Sequence, residues 1–215
     1  MLEEAGFAQI PGALAAGQCA ELVNAVDGGG AGRAGARNLL DVTSCQQLAS
    51  TFKTHAQVGP LLPRGAVAVQ CTLFDKSLEK NWLVALHQDL SIPVRERVPH
   101  PECTGWSEKE GVLYVQPPVA VLELLVAVRA HLDDCGSASG PLRVVPGSAA
   151  CLRRPPGRCA SRAATSSASL AGVTSYYCAR SCFIHRPRLR APRRVLHFLF
   201  GPQELTCGLK WHRAV

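Results

Sequence analysis

His87 and Asp89 stand one residue apart in the segment Leu83 to Asp89, which is short, partly apolar and reads as extended backbone. Along a strand, alternate side chains share a face, so His87 and Asp89 project together and Gln88 faces away. A neutral imidazole and a carboxylate converging on one point supply two thirds of a 2-His-1-carboxylate triad. Such a triad holds iron(II) and leaves three coordination positions for substrates and oxygen. The dipeptide pattern alone more often makes a surface hydrogen bond; its surroundings decide between the two.

The elements that must position this pair follow from periodicity. Residues 5–10 read as a short strand ended by Pro11-Gly12. From Ala15 to Val26, apolar Cys19, Leu22, Val23 and Val26 recur at helical spacing, and Gly28-Gly29-Gly30 ends that helix. A second helix is predicted from about Thr43 to His55, with Leu48 and Phe52 four apart. After Pro60 and Pro63, Val67, Val69, Cys71 and Leu73 alternate with less apolar residues, a strand pattern. Residues 93–118 read as loop. Val121 to Leu132 reads as a buried strand with Glu123, Arg129 and His131 as its polar members. Leu142 to Val145 and Arg194 to Phe200 read as further strands. Two early helices followed by many short strands fit a mainly β fold, helices packed on a jelly-roll sandwich.

Composition bounds the rest. The 215 residues, 47% apolar and 18% charged, suit one globular domain spanning 1–215. No apolar run approaches the roughly 18 residues of a membrane span, and no basic-then-apolar leader follows the acidic start, so a soluble, cytoplasmic protein is expected. The ten cysteines are then expected as thiols. Cys151, Cys159, Cys178 and Cys182 come nearest to a zinc pattern, but they lack the tight ligand pairs such sites favour. The net charge of +7 is concentrated: residues 135–203 hold 11 Arg and no Asp, Glu or Lys. A nucleic-acid footprint would give such a block, but with few aromatic residues beyond Tyr176, Tyr177 and Phe183 it offers no stacking platform.

The stretch Thr72-Leu73-Phe74-Asp75-Lys76, Asn81-Trp82, His87-Gln88-Asp89 resembles the segment leading into the iron motif of the phytanoyl-CoA dioxygenase family. The resemblance continues in order through Val115-Gln116-Pro117-Pro118, His131-Leu132-Asp133-Asp134 and the run from Gly140 to Ser148. It resumes at Arg193-Arg194-Val195-Leu196-His197 and Gly208-Leu209-Lys210-Trp211. It implies a double-stranded β-helix (a cupin-like jelly roll), iron(II), and 2-oxoglutarate as co-substrate. Oxygen would be spent on decarboxylating 2-oxoglutarate and hydroxylating a C–H bond of a small organic or lipid-like substrate. His87 and Asp89 become expected iron ligands; Lys76 and Trp106 match positions lining the 2-oxoglutarate or substrate pocket. Arg193 or Arg194, facing opposite ways on the last strand, would hold the distal carboxylate by a bidentate pair. His131 and His197 are expected as core or rim residues.

The pattern breaks where the family places its second iron histidine. The candidate is His185, within Ser181-Cys182-Phe183-Ile184-His185-Arg186-Pro187. After Pro146-Gly147-Ser148 the family commonly has a histidine, and this chain has Ala149. Residues 149–190, rich in Arg, Ala, Ser and Cys, have the mixture that out-of-frame reading of a GC-rich gene produces. Codons for Tyr176 to Arg186 can, one base earlier, spell an apolar run ending Leu-Leu-Leu-His-Pro-Ser, with the histidine straddling Phe183 and Ile184. The segment is therefore read as frame-shifted, and the coding DNA across 145–195 tests that. A one-residue slip on a strand turns a side chain to the other face, so a catalytically impaired member of the fold, acting as a binding module or decayed gene product, stands as the alternative to an active oxygenase.

Overall fold

The computed structural model describes residues 2–12, 14–27, 35–78, 84–135, 141–149, 176–179, 184–186 and 193–215. Its strands in chain order are β1 (Phe7–Ile10), β2 (Gly35–Ala36), β3 (Val67–Lys76), β4 (Val84–His87), β5 (Ile92–Val94), β6 (Thr104–Lys109), β7 (Val112–Gln116), β8 (Val126–His131), β9 (Arg143–Val144), β10 (Tyr176–Ala179), β11 (Ile184–Arg186) and β12 (Arg193–Gly201). The helices are α1 (Leu2–Ala5), α2 (Ala16–Asp27), α3 (Thr43–Thr54) and α4 (Val119–Leu122). A six-stranded sheet runs β1-β10-β8-β12-β3-β2, and a three-stranded sheet runs β4-β11-β9. All these pairs are antiparallel. The two sheets meet face to face through Ile184 and Val144 on one side and Phe7 on the other, which makes the architecture a jelly roll.

β12 divides the molecule by its alternation. Leu196, Phe198 and Phe200 turn to one side, where α2 and α3 bury Leu22, Val26, Leu48 and Phe52 against them. Phe52 meets Phe198 edge-on at 5.2 Å and Phe200 at 6.1 Å. With no exposed surface, Phe52→Ala should cost about 3–5 kcal/mol. A thermal melt should show the midpoint lowered by roughly 6–20 °C.

The expected helices are present within a residue or so, and β3 covers the alternating stretch. The glycines after α2 lie outside the described residues. Two expectations need correcting. Residues 93–118 are not loop: β5-β7-β6 form a meander. Its outer strand β6 is mostly exposed, so it shows no apolar alternation. Its hairpin turns at Glu110-Gly111, both at positive φ (52° and 77°), the conformation a tight I′ turn demands and Asn-Gly would have advertised. Val121 to Leu132 is not one strand either: α4 begins after Pro118, and the chain extends only from Val126. Among the described residues no helix is long and apolar enough to cross a membrane.

Candidate functional site

β4 ends at His87. Its pairing with β11 sets Ile184 opposite His87 and Arg186 opposite Val84. β4 thus takes three steps where β11 takes two, a β-bulge at the end of the strand. The imidazole folds back over it, with Nδ1 2.8 Å from the Ala85 carbonyl. A carbonyl only accepts, so Nδ1 carries the proton; Nε2 donates to a carboxylate when it too is protonated and, once deprotonated, offers its lone pair to an ion. Nε2 lies 3.3 Å from Asp89 Oδ1.

That spacing suits metal coordination. Two donors each about 2.1 Å from a shared ion, at right angles to it, stand about 3 Å apart. Both side chains are open to approach, His87 at 39% and Asp89 at 55% exposure. The other Asp89 oxygen, Oδ2, accepts from Arg129 Nη2 at 3.2 Å. Neighbouring protein desolvates the Asp89 carboxyl and raises its pKa. The hydrogen bond from His87 and the charges of Arg129, His197 and His87 outweigh this, holding the carboxyl well below the usual carboxylate range. Asp89 is therefore ionised at any physiological pH, as a metal ligand must be.

Behind this pair stands a polar wall. Seven polar or charged side chains are buried among the described residues, and six of them lie on the inward face of β3, β12 and β8: Thr72, Lys76, Arg193, His197, Arg129 and His131. Register explains the grouping. His197 sits between Thr72 and Arg129, Val195 between Phe74 and His131, and Arg193 opposite Lys76. The outward face of the same strands is apolar and carries the helix-side core. Lys76 and Arg193 are thus two basic side chains buried as cross-strand neighbours, at 1% and 2% exposure. Arg193 and His197 are four residues apart on β12, about 13 Å between Cα atoms, a gap that a guanidinium stem and a short diacid would span.

The structure separates the two arginines. Arg194 is on the helix side, clamped by Asp133: its Nε and Nη2 reach the two carboxylate oxygens at 3.0 and 2.6 Å, and its backbone N–H donates to Oδ2 at 2.6 Å. Arg193 faces inward, with Nη1 3.7 Å from Cys135 Sγ. Lys76 is buried beside it rather than solvated. Trp106 is elsewhere: it lies on β6 of the meander, donates Nε1–H to the Cys103 carbonyl and is covered by Arg97. His185 lies on β11 beside Arg143 in register, and its side chain is outside the described residues, as are Cys151, Cys159 and Cys182. Among the described residues no three His, Cys, Asp or Glu side chains are grouped to hold a metal. Two functional partners were not foreseen, Arg129 and Asp133. The period-two spacing of Arg129 and His131 inside an apolar run was the available signal for an inward polar row.

A family model described as phytanoyl-CoA dioxygenase matches residues 2–158. No curated protein matches the chain in sequence. Several solved structures share the fold. HygX from Streptomyces hygroscopicus, crystallised with nickel and 2-oxoglutarate, superposes with a TM-score of 0.60 at 18% identity, over 95% of this chain and 86% of that one. The α-ketoglutarate-dependent carbocyclase SnoK of nogalamycin biosynthesis gives 0.64 at 12% identity, over 94% and 82%. The epimerase SnoN of the same biosynthesis gives 0.64 at 16%, over 94% and 79%.

Proposed function

Because the chain belongs to the phytanoyl-CoA dioxygenase family, whose enzymes use iron(II), 2-oxoglutarate and oxygen, we propose that it hydroxylates a small organic or lipid-like substrate by that chemistry. The observation that carries the reading is the His87–Asp89 pair, 3.3 Å apart, set before a buried wall of Arg129, Arg193 and Lys76. His87 Nε2 and Asp89 Oδ1 would hold the ion, and Arg129 fixes the carboxylate by taking its second oxygen. Arg193, with Lys76 beside it, would take the distal carboxylate of 2-oxoglutarate; Arg194 is committed to Asp133. Bound there, iron(II) supplies oxygen activation coupled to decarboxylation of the co-substrate. Relatives in fold include an epimerase and a carbocyclase, so the outcome on the substrate depends on how its C–H bond is presented, which lid loops decide.

A second reading, a catalytically impaired member of the fold, is favoured by one observation: the residue across from His87 is Ile184. The family match ends at residue 158, ten residues into the segment 149–190 that the sequence reading takes as frame-shifted. Anaerobic titration separates the two functions. An active site takes up one equivalent of iron(II), and 2-oxoglutarate then adds a charge-transfer absorption band near the visible. A folded sample that shows neither is the impaired form.

A further inference from the structure

Three protein donors converge on one ion only if the third side chain starts beside the first two. β11 is the strand bonded to β4, and its residue directly opposite His87 is Ile184. Directly opposed residues of an antiparallel pair have Cβ atoms about 4.5–5.5 Å apart and share a face. On its other side Ile184 is paired with Val144. Val144, Ile184 and His87 thus form one row across the three-stranded sheet, and the row faces inward: Val144 is fully buried, and Ile184, at 5% exposure, packs with Leu142 and Val144. The next row is that of His185 with Arg143. Arg143, its described member, is exposed, which marks the outward row.

We propose that, among the described residues, two donors hold this chain's divalent ion, His87 Nε2 and Asp89 Oδ1, and that Ile184 occupies the place of a third. The inference rests on reading His87 and Asp89 as metal ligands. An isoleucine side chain has no lone pair to give, and its bulk leaves the ion's third facial position to water and shuts out an added donor as large as imidazole. His185 falls one position out of phase with His87 and contributes nothing to affinity. The site is a weak binder that a single side chain at position 184 would complete.

Cobalt(II) titration by calorimetry tests this without reference to turnover, with the visible cobalt spectrum as a second readout. His185→Ala should leave the dissociation constant unchanged. Ile184→His should tighten it by about tenfold or more and shift the cobalt bands as an imidazole replaces water. Should Ile184→His fail to fold by circular dichroism, Ile184→Ala with added imidazole replaces it: the cavity admits the ring, and the same spectral shift should follow, absent in the wild type at equal imidazole. A weakening of about tenfold in His185→Ala would overturn the proposal, as would a folded position-184 variant with no change in affinity or spectrum. His87→Ala distinguishes the deeper failure: if it binds cobalt(II) as well as the wild type, the reading of the site itself falls, and the proposal with it.

Discussion

Alanine in place of His87 or Asp89 is expected to abolish iron-dependent 2-oxoglutarate turnover and to weaken divalent-metal binding by more than about a hundredfold. Even partners one shell beyond the ligands typically cost 10–100-fold, and these two residues provide the only donors that the described residues bring together at this site. The two variants should differ in their side effects. His87 is an exposed side chain held to the backbone at Ala85, so its removal leaves the fold intact. Removing Asp89 takes an ion-pair partner from Arg129, whose side chain is only 5% exposed, and a buried charge that loses a partner destabilises. Asp89→Asn keeps a hydrogen-bond acceptor for Arg129 and isolates the loss of the ligand. Coupled turnover retained in either alanine variant would remove that residue from the site.

The second large effect is expected at Arg193. A bidentate, charge-assisted pair contributes about 1.5–3 kcal/mol, so Arg193→Met should raise the dissociation constant of 2-oxoglutarate about 10- to 150-fold. Arg193→Lys restores the charge without the fork and should recover only part of that affinity. Arg194→Met is the contrasting case. Its guanidinium is half-buried and bonded to Asp133, so its loss should cost roughly 1 kcal/mol of stability and leave 2-oxoglutarate binding unchanged. Equilibrium titration of the three variants against a denaturation series reads both quantities. The reverse result, with Arg194 controlling affinity, would place the anion on the helix side of β12.

The helices and long strands were legible because their apolar residues are local and periodic: Leu48 and Phe52 four apart, Cys71 and Leu73 two apart. The meander was not, since β6 is solvated and turns on Glu-Gly instead of a typical hairpin pair. The same division runs through the site. His87 and Asp89 are neighbours in sequence, and their approach could be anticipated from strand geometry. The choice between Arg193 and Arg194 could not, because it depends on which face of β12 meets the helices. The salt bridge from Arg129 on β8 to Asp89 just beyond β4 joins segments whose approach the chain order does not announce. The step from His185 to Ile184 is smaller still: a one-residue difference in the register of β11 on β4 decides which side chain stands opposite His87, and nothing in the apolar pattern of so short a strand signals that register.

The neighbouring pair Lys76 and Arg193 sits on strands drawn from distant parts of the chain. During synthesis, β3 and β8 leave the ribosome long before β12 exists to lie between them. Until then each presents an unpaired edge of backbone N–H and C=O groups, the surface on which nascent chains misassociate. Insertion of β12 closes both edges at once, buries the phenylalanines of the helix layer and completes the cationic wall in the same event. The wall is therefore completed late and cooperatively, and a chain that stops short of residue 193 lacks Arg193 and the strand that seats it beside Lys76.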